Sequence, residues 1–132
     1  HEGGFTMWTS RYTPYGVHAS PWRDGKGDVL KEFVSSAKKY GIKICYYFGV
    51  ASDGYSLLSD VGPKVNGSEF IRLVKGEIME LLTEYGPVNR FWFDHGHLFP
   101  ADVTENDIKN AAFELIRKVS PSTLLSPYSG DI

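Results

Sequence analysis

The chain has 132 residues, a formal charge of −2 and 42% hydrophobic content, which suits one modest globular domain. No basic run exceeds two residues, so nucleic acid is not an expected partner, and no apolar stretch approaches the roughly 18 residues of a membrane span. Cys45 is the only cysteine, which excludes a disulfide within the chain and, inside an apolar run, reads as an inert core residue.

The elements alternate. His1–Phe5 reads as the tail of a strand, followed by a turn-rich loop through Pro14, Gly16, Pro21, Gly25 and Gly27. Asp28 is placed to cap a helix over 28–40, with Leu30, Phe33, Val34 and Ala37 at helical spacing. Lys38 and Lys39 suit its last turn, and Gly41 suits the left-handed position beyond it. Ile42–Phe48 is short and rich in β-branched and aromatic residues, which predicts a strand. After a loop to Gly67, Ser68 is the expected cap of a second helix, over 68–85. Its apolar face carries Phe70, Ile71, Val74, Ile78, Leu81 and Leu82. Asn66-Gly67-Ser68 is also an N-glycosylation tripeptide, consistent with secretion. Gly86-Pro87 leads to a strand over 89–93. Thr104 and Asp107 form the ends of a capping box for a helix over 104–119, striped by Ile108, Ala111, Ala112, Leu115, Ile116 and Val119. A last strand is predicted over 123–126.

Serial βα units imply parallel strands joined by crossovers. A closed (β/α)8 barrel needs about 250 residues. The fold expected is therefore α/β, a partial (β/α)8 TIM barrel with about three βα units and part of a fourth. Residues 1–132 would form a piece of a single catalytic domain.

The most informative stretch is Asn89-Arg90-Phe91-Trp92-Phe93-Asp94. Its aromatic residues favour a buried strand, and Asp94 falls where that strand gives way to a loop. In parallel sheets and barrels, catalytic groups collect at that end of the strands. A carboxylate set against large aromatics is costly to desolvate, which favours a catalytic role over a simple cap.

Several motifs resemble glycoside hydrolase family 29 α-L-fucosidases. His1-Glu2-Gly3-Gly4-Phe5-Thr6-Met7-Trp8 resembles a segment usually read Lys-His-His-Asp-Gly-Phe-Cys-Leu-Trp. Ser10-Arg11-Tyr12-Thr13, Ser20-Pro21-Trp22 and Gly25-Lys26-Gly27-Asp28-Val29 resemble the family's following loop. Tyr40-Gly41-Ile42-Lys43 with Tyr47 resembles its next strand. Leu81-Leu82-Thr83-Glu84-Tyr85-Gly86-Pro87 and Phe91-Trp92-Phe93-Asp94 resemble the segment that delivers the nucleophile. Gly130-Asp131-Ile132 resembles a Gly-Pro-Asp-Ile segment without its proline. Two departures stand out: Glu2 and Gly3 replace a His and an Asp, and His95-Gly96-His97 follows Asp94 where the family more often has Gly-Ala.

The resemblance implies a retaining α-L-fucosidase acting on a fucosylated oligosaccharide or glycoconjugate. Such enzymes use two carboxyl groups about 5–5.5 Å apart, one as nucleophile and one as acid/base. Asp94 matches the nucleophile. The acid/base is expected outside this chain; Asp53 and Asp102 are loop alternatives, each several times better suited to a turn or a cap. Fucose, with one methyl and three hydroxyls, calls for polar donors beside an aromatic wall, and His1, Trp8 and Tyr47 are the candidate substrate ligands. Trp8 and Tyr47 suit core positions equally well. His95-x-His97 beside Asp94 lacks the context of a zinc motif, so neither metal nor cofactor is expected. The location implied is secreted, lysosomal or otherwise extracytoplasmic, with the remainder of the barrel supplied outside the chain. The alternative is a non-catalytic fucose-binding or scaffold relative, which the Glu2 and Gly3 changes favour.

Overall fold

The computed structural model describes residues 3–49, 64–94 and 98–126. Among the described residues, three α-helices and three strands alternate: α1 (Val29–Lys39), β1 (Ile44–Gly49), α2 (Gly67–Thr83), β2 (Val88–Asp94), α3 (Glu105–Val119) and β3 (Leu124–Ser126). Local chemistry sets their limits. The Asp28 carboxylate accepts the Lys31 amide at 2.8 Å and starts α1. Its end is a Schellman turn, with Gly41 at φ +67° and the Ile42 amide donating to the Ala37 carbonyl at 2.9 Å. That turn consumes Ile42, so β1 begins two residues later than the apolar run suggested. The Thr104–Asp107 capping box opens α3 as expected.

The cap of α2 is Asn66, not Ser68. Asn66 Oδ1 accepts the Glu69 amide, while the Glu69 side chain accepts from the Asn66 amide. Only Asn66 has a Glu three residues ahead of it, and that reciprocal pairing decides the start. The expected strand at the N-terminus is also revised. Gly3 and Gly4 lie at positive φ and turn the chain, and the nearest extended pairing is an isolated bridge between Thr6 and Gly16. His1 and Glu2 lie outside the described residues.

The strands form one parallel sheet in the order β1-β2-β3, as the serial βα pattern required. All three helices contribute to a core against one face of it. Phe48, Phe91, Phe93, Ile78, Ile108, Ala112 and Ile116 are fully enclosed there. Truncating Phe91 or Phe93 to alanine would cost about 3–5 kcal/mol. Phe33 and Val119, expected on the core stripes, are instead exposed at the edges of their helices' buried arcs.

Register places the side chains. Ile44 pairs with Val88 but Cys45 pairs with Arg90, so Asn89 is an extra residue in β2. Its Oδ1 accepts the Ile44 amide at 3.0 Å, replacing the ladder bond that the bulge displaces. The bulge shifts the pleat by one. Val88, Phe91 and Phe93 all turn toward the helices, whereas Arg90, Trp92 and Asp94 turn away. Cys45 lies on this second face and is exposed, which corrects its reading as a core residue. Trp92 is 49% and Leu124 65% exposed on the same face.

A buried polar chain joins three elements. Tyr46 donates to the Tyr85 carbonyl at 2.8 Å, and Tyr85 donates to Asp28 Oδ2 at 2.6 Å. Burial first, then Asp28 (by its charge for Tyr46, by its hydrogen bond for Tyr85), pushes both phenols well above the ordinary value near 10. The unfolded tyrosines ionise near pH 10, while the folded ones hold their protons. This contribution to stability is full below pH 10 and lost as pH rises beyond it. Urea midpoints of the whole protein should therefore fall steeply above about pH 10, and Tyr85→Phe should flatten that fall. A second expectation follows from the exposed Trp92 and Leu124: expressed alone, the 132-residue chain should elute as an associated species. Replacing both with lysine should shift it toward the monomer volume; an unchanged, monomeric elution of the original chain would contradict this.

Candidate active site

The parallel register aligns the carboxyl ends of β1 and β2, with Gly49 opposite Asp94 and Tyr47 opposite Trp92. Tyr47 and Asp94 therefore emerge on the same face and at the same edge. The Tyr47 hydroxyl donates to Asp94 Oδ2 at 2.7 Å. Both side chains are partly exposed. A hydrogen bond to an ionised acceptor is about twice as strong as a neutral one, and it fixes the carboxylate's orientation. The Trp92 ring meets the Tyr47 ring edge to face, with centroids 5.5 Å apart, which restricts the phenol in turn.

Below this pair, Arg90 Nε donates to Ser126 Oγ at 2.7 Å, linking β2 to β3. Cys45, Tyr46, Tyr47, Arg90 and Trp92 line a hollow of about 410 Å³ along the same face. Another hollow, of about 430 Å³, lies between Tyr12 and the outer side of α2. Neither hollow is lined by a carboxylate; Tyr47, which lines the first, is the residue that joins it to Asp94.

The other anticipated residues lie apart from this pair or outside the described residues. Trp8 is only 2% exposed, and its Nε1 donates to Glu80 Oε2 at 2.9 Å. Its ring lies 6.4 Å from that of Tyr85, within the helix-side core. His1 lies outside the described residues, as do Asp53, His95, His97 and Asp131. Asp102 serves as a cap: its two carboxylate oxygens accept the Gly67 amide at 3.0 and 3.1 Å. Among the described residues, no three His, Cys, Asp or Glu side chains converge as a metal site.

Glu80 was not anticipated. It is 1% exposed, and besides Trp8 it accepts the Arg11 amide at 2.8 Å. Arg11 also pairs with Glu84, so two carboxylates of α2 fasten the loop that follows Trp8. The available signal was positional: Glu77 and Glu80 fall inside the apolar arc of α2, where an acidic residue is expensive without donors.

Comparison with known proteins bears on this arrangement. The alpha-L-fucosidase family profile matches residues 1–126. Alpha-L-fucosidase 1 of Arabidopsis thaliana is 31% identical over 130 residues, covering 98% of this chain and 24% of the plant protein. A crystal structure of a glycoside hydrolase 29 family member from an unknown rumen bacterium superposes with a TM-score of 0.74 at 26% identity, over 100% of this chain and 25% of that one. A second is a glycoside hydrolase 29 alpha-L-fucosidase from Bacteroides thetaiotaomicron, trapped as a covalent intermediate with 2-fluoro-fucosyl fluoride. It gives a TM-score of 0.72 at 26% identity, over 95% of this chain and 29% of that one. The chain thus spans about a quarter of the length of the relatives it matches. With a family profile matching residues 1–126 and a relative 31% identical over 98% of its length, the chain belongs to the alpha-L-fucosidase family of glycoside hydrolases.

Proposed function

We propose that this chain is part of the (β/α)8 catalytic domain of a retaining alpha-L-fucosidase and that Asp94 is its nucleophile. The observation that carries the reading is the Asp94 carboxylate at the carboxyl end of the middle strand, held by Tyr47 at 2.7 Å. One carboxylate oxygen attacks the anomeric carbon of a terminal α-L-fucosyl group as the glycosidic bond breaks. An acid contributed by residues beyond this chain protonates the departing oxygen. Water then cleaves the fucosyl–aspartate ester, and two inversions return the original configuration. The trapped covalent intermediate of the Bacteroides relative supports a mechanism of this type.

Tyr47 positions the nucleophile and releases it as the ester forms, because an esterified oxygen accepts a hydrogen bond less well than a carboxylate. His1 is the proposed donor to the sugar hydroxyls. Trp8, buried with its N–H held by Glu80, belongs to the frame behind the sheet and not to the sugar contacts. The substrate class is a fucosylated oligosaccharide or glycoconjugate, and the proposed setting is extracytoplasmic. Replacement of a His and an Asp of the family pattern by Glu2 and Gly3 favours one second reading, a relative that binds fucose without hydrolysing it.

Full-length protein decides between them with an activated aryl α-L-fucoside. Asp94→Ala should lose about a thousandfold in kcat/KM, near 4 kcal/mol, and azide should restore turnover with a glycosyl azide of inverted configuration. Near-normal turnover of that variant would exclude Asp94. No turnover by the unaltered protein, with fucose binding retained, would establish the binding reading. Tyr47→Phe removes one hydrogen bond to a charged acceptor, worth about 1.5–3 kcal/mol. A roughly 10- to 100-fold loss in kcat with KM little changed is expected; an equal rise in KM instead would place Tyr47 on the substrate.

A further inference from the structure

Asn66-Gly67-Ser68 has no part in the site around Asp94, yet its placement is informative. Asn66 and Ser68 are exposed at the start of α2. Asn66 Oδ1 accepts the Glu69 amide at 3.0 Å and the Ser68 hydroxyl at 2.8 Å, and the Asn66 backbone amide donates to Glu69 at 3.1 Å. These contacts engage the side-chain oxygen and the backbone and leave Nδ2 out of the cap. Gly67 is turned inward, where a Cβ would stand 2.1 Å from Val103 Cγ1, and its amide is bound by Asp102. The residue with no room is thus the glycine, while the asparagine faces outward. Asp102 follows β2 in the chain and α2 follows β1, so this bond joins the connections that leave β1 and β2.

We propose that Asn66 carries an N-linked glycan, added as the whole protein passes through a eukaryotic secretory pathway. Nδ2 forms a bond to the anomeric carbon of a lipid diphosphate-linked oligosaccharide as that carbon's bond to the diphosphate oxygen breaks. Nδ2 loses one proton, and the lipid diphosphate departs; nothing is oxidised or reduced. The product keeps the Oδ1 carbonyl, so the glycan and the helix cap coexist. A glycan here stands on the connection that leads from β1 into α2. The proposal rests on the extracytoplasmic setting and not on the fucosidase chemistry, so either can fail alone.

The test uses full-length protein secreted from insect cells, treated with peptide:N-glycosidase F in heavy-oxygen water and digested with trypsin. Peptide 65–72, released between Lys64 and Arg72, should appear with Asn66 converted to labelled Asp. Without the glycosidase, the same peptide should carry glycan mass. Ser68→Ala retains the Asn66 cap but breaks the acceptor tripeptide, and it should lose both the glycan mass and the label. Recovery of unmodified peptide 65–72 from the secreted protein overturns the proposal. So does equal labelling in Ser68→Ala, which would mark chemical deamidation at Asn66-Gly67.

Discussion

The parity of β2 governs what the sheet can do. A strand alternates strictly, so one inserted residue exchanges its faces. Asn89 is that residue, and its side chain supplies the acceptor that keeps the Ile44 amide satisfied. With the bulge in place, Phe91 and Phe93 meet the helices while Trp92 and Asp94 face away from them. Without it, either two phenylalanines would leave the core or Val88 would. The position of Asp94 is thus tied to the burial of two large rings, at about 3–5 kcal/mol each.

That tie explains how a charged group is held against an aromatic strand. Desolvation disfavours an isolated carboxylate, and a short bond from a neutral hydroxyl offsets part of that cost without neutralising the charge. Tyr47 supplies it from the neighbouring strand because the parallel register places β1 and β2 in step to their ends. Trp92 limits the phenol's freedom by packing against its edge. The nucleophile proposed for the enzyme therefore takes part of its orientation from the neighbouring strand of the sheet.

The long segment before α1 is fastened from the helix side. Glu80 receives Trp8 and the Arg11 amide, and Asp28 receives Tyr85 while capping α1. Each carboxylate serves two donors, which is how α1, α2 and the loop become a single frame behind the sheet. Among the described residues the opposite face has no such cover, and the chain spans about a quarter the length of its relatives.

The sequence by itself determined the order and type of the elements, their parallel arrangement, two of the three helix caps and the location of Asp94 at a strand end. These are local matters: helical and strand periodicities, Asp28, Gly41, and the Thr104–Asp107 pairing are each legible within a few residues. It also named Tyr47, though by resemblance and with a core position equally open. What only the tertiary structure decided depends on partners far apart in the chain. Nothing near Asn89 marks it as a bulge until Ile44 lies beside it, and nothing near Trp8 or Cys45 says which face each will take. The Asn66–Glu69 box that displaced Ser68 as a cap is, by contrast, local, its two partners lying three residues apart. Glu80 became structural only when Trp8 and Arg11 arrived from about seventy residues away. Periodicity sets what a residue prefers; the register between strands, and the donors that long-range packing brings to a buried charge, decide what it does.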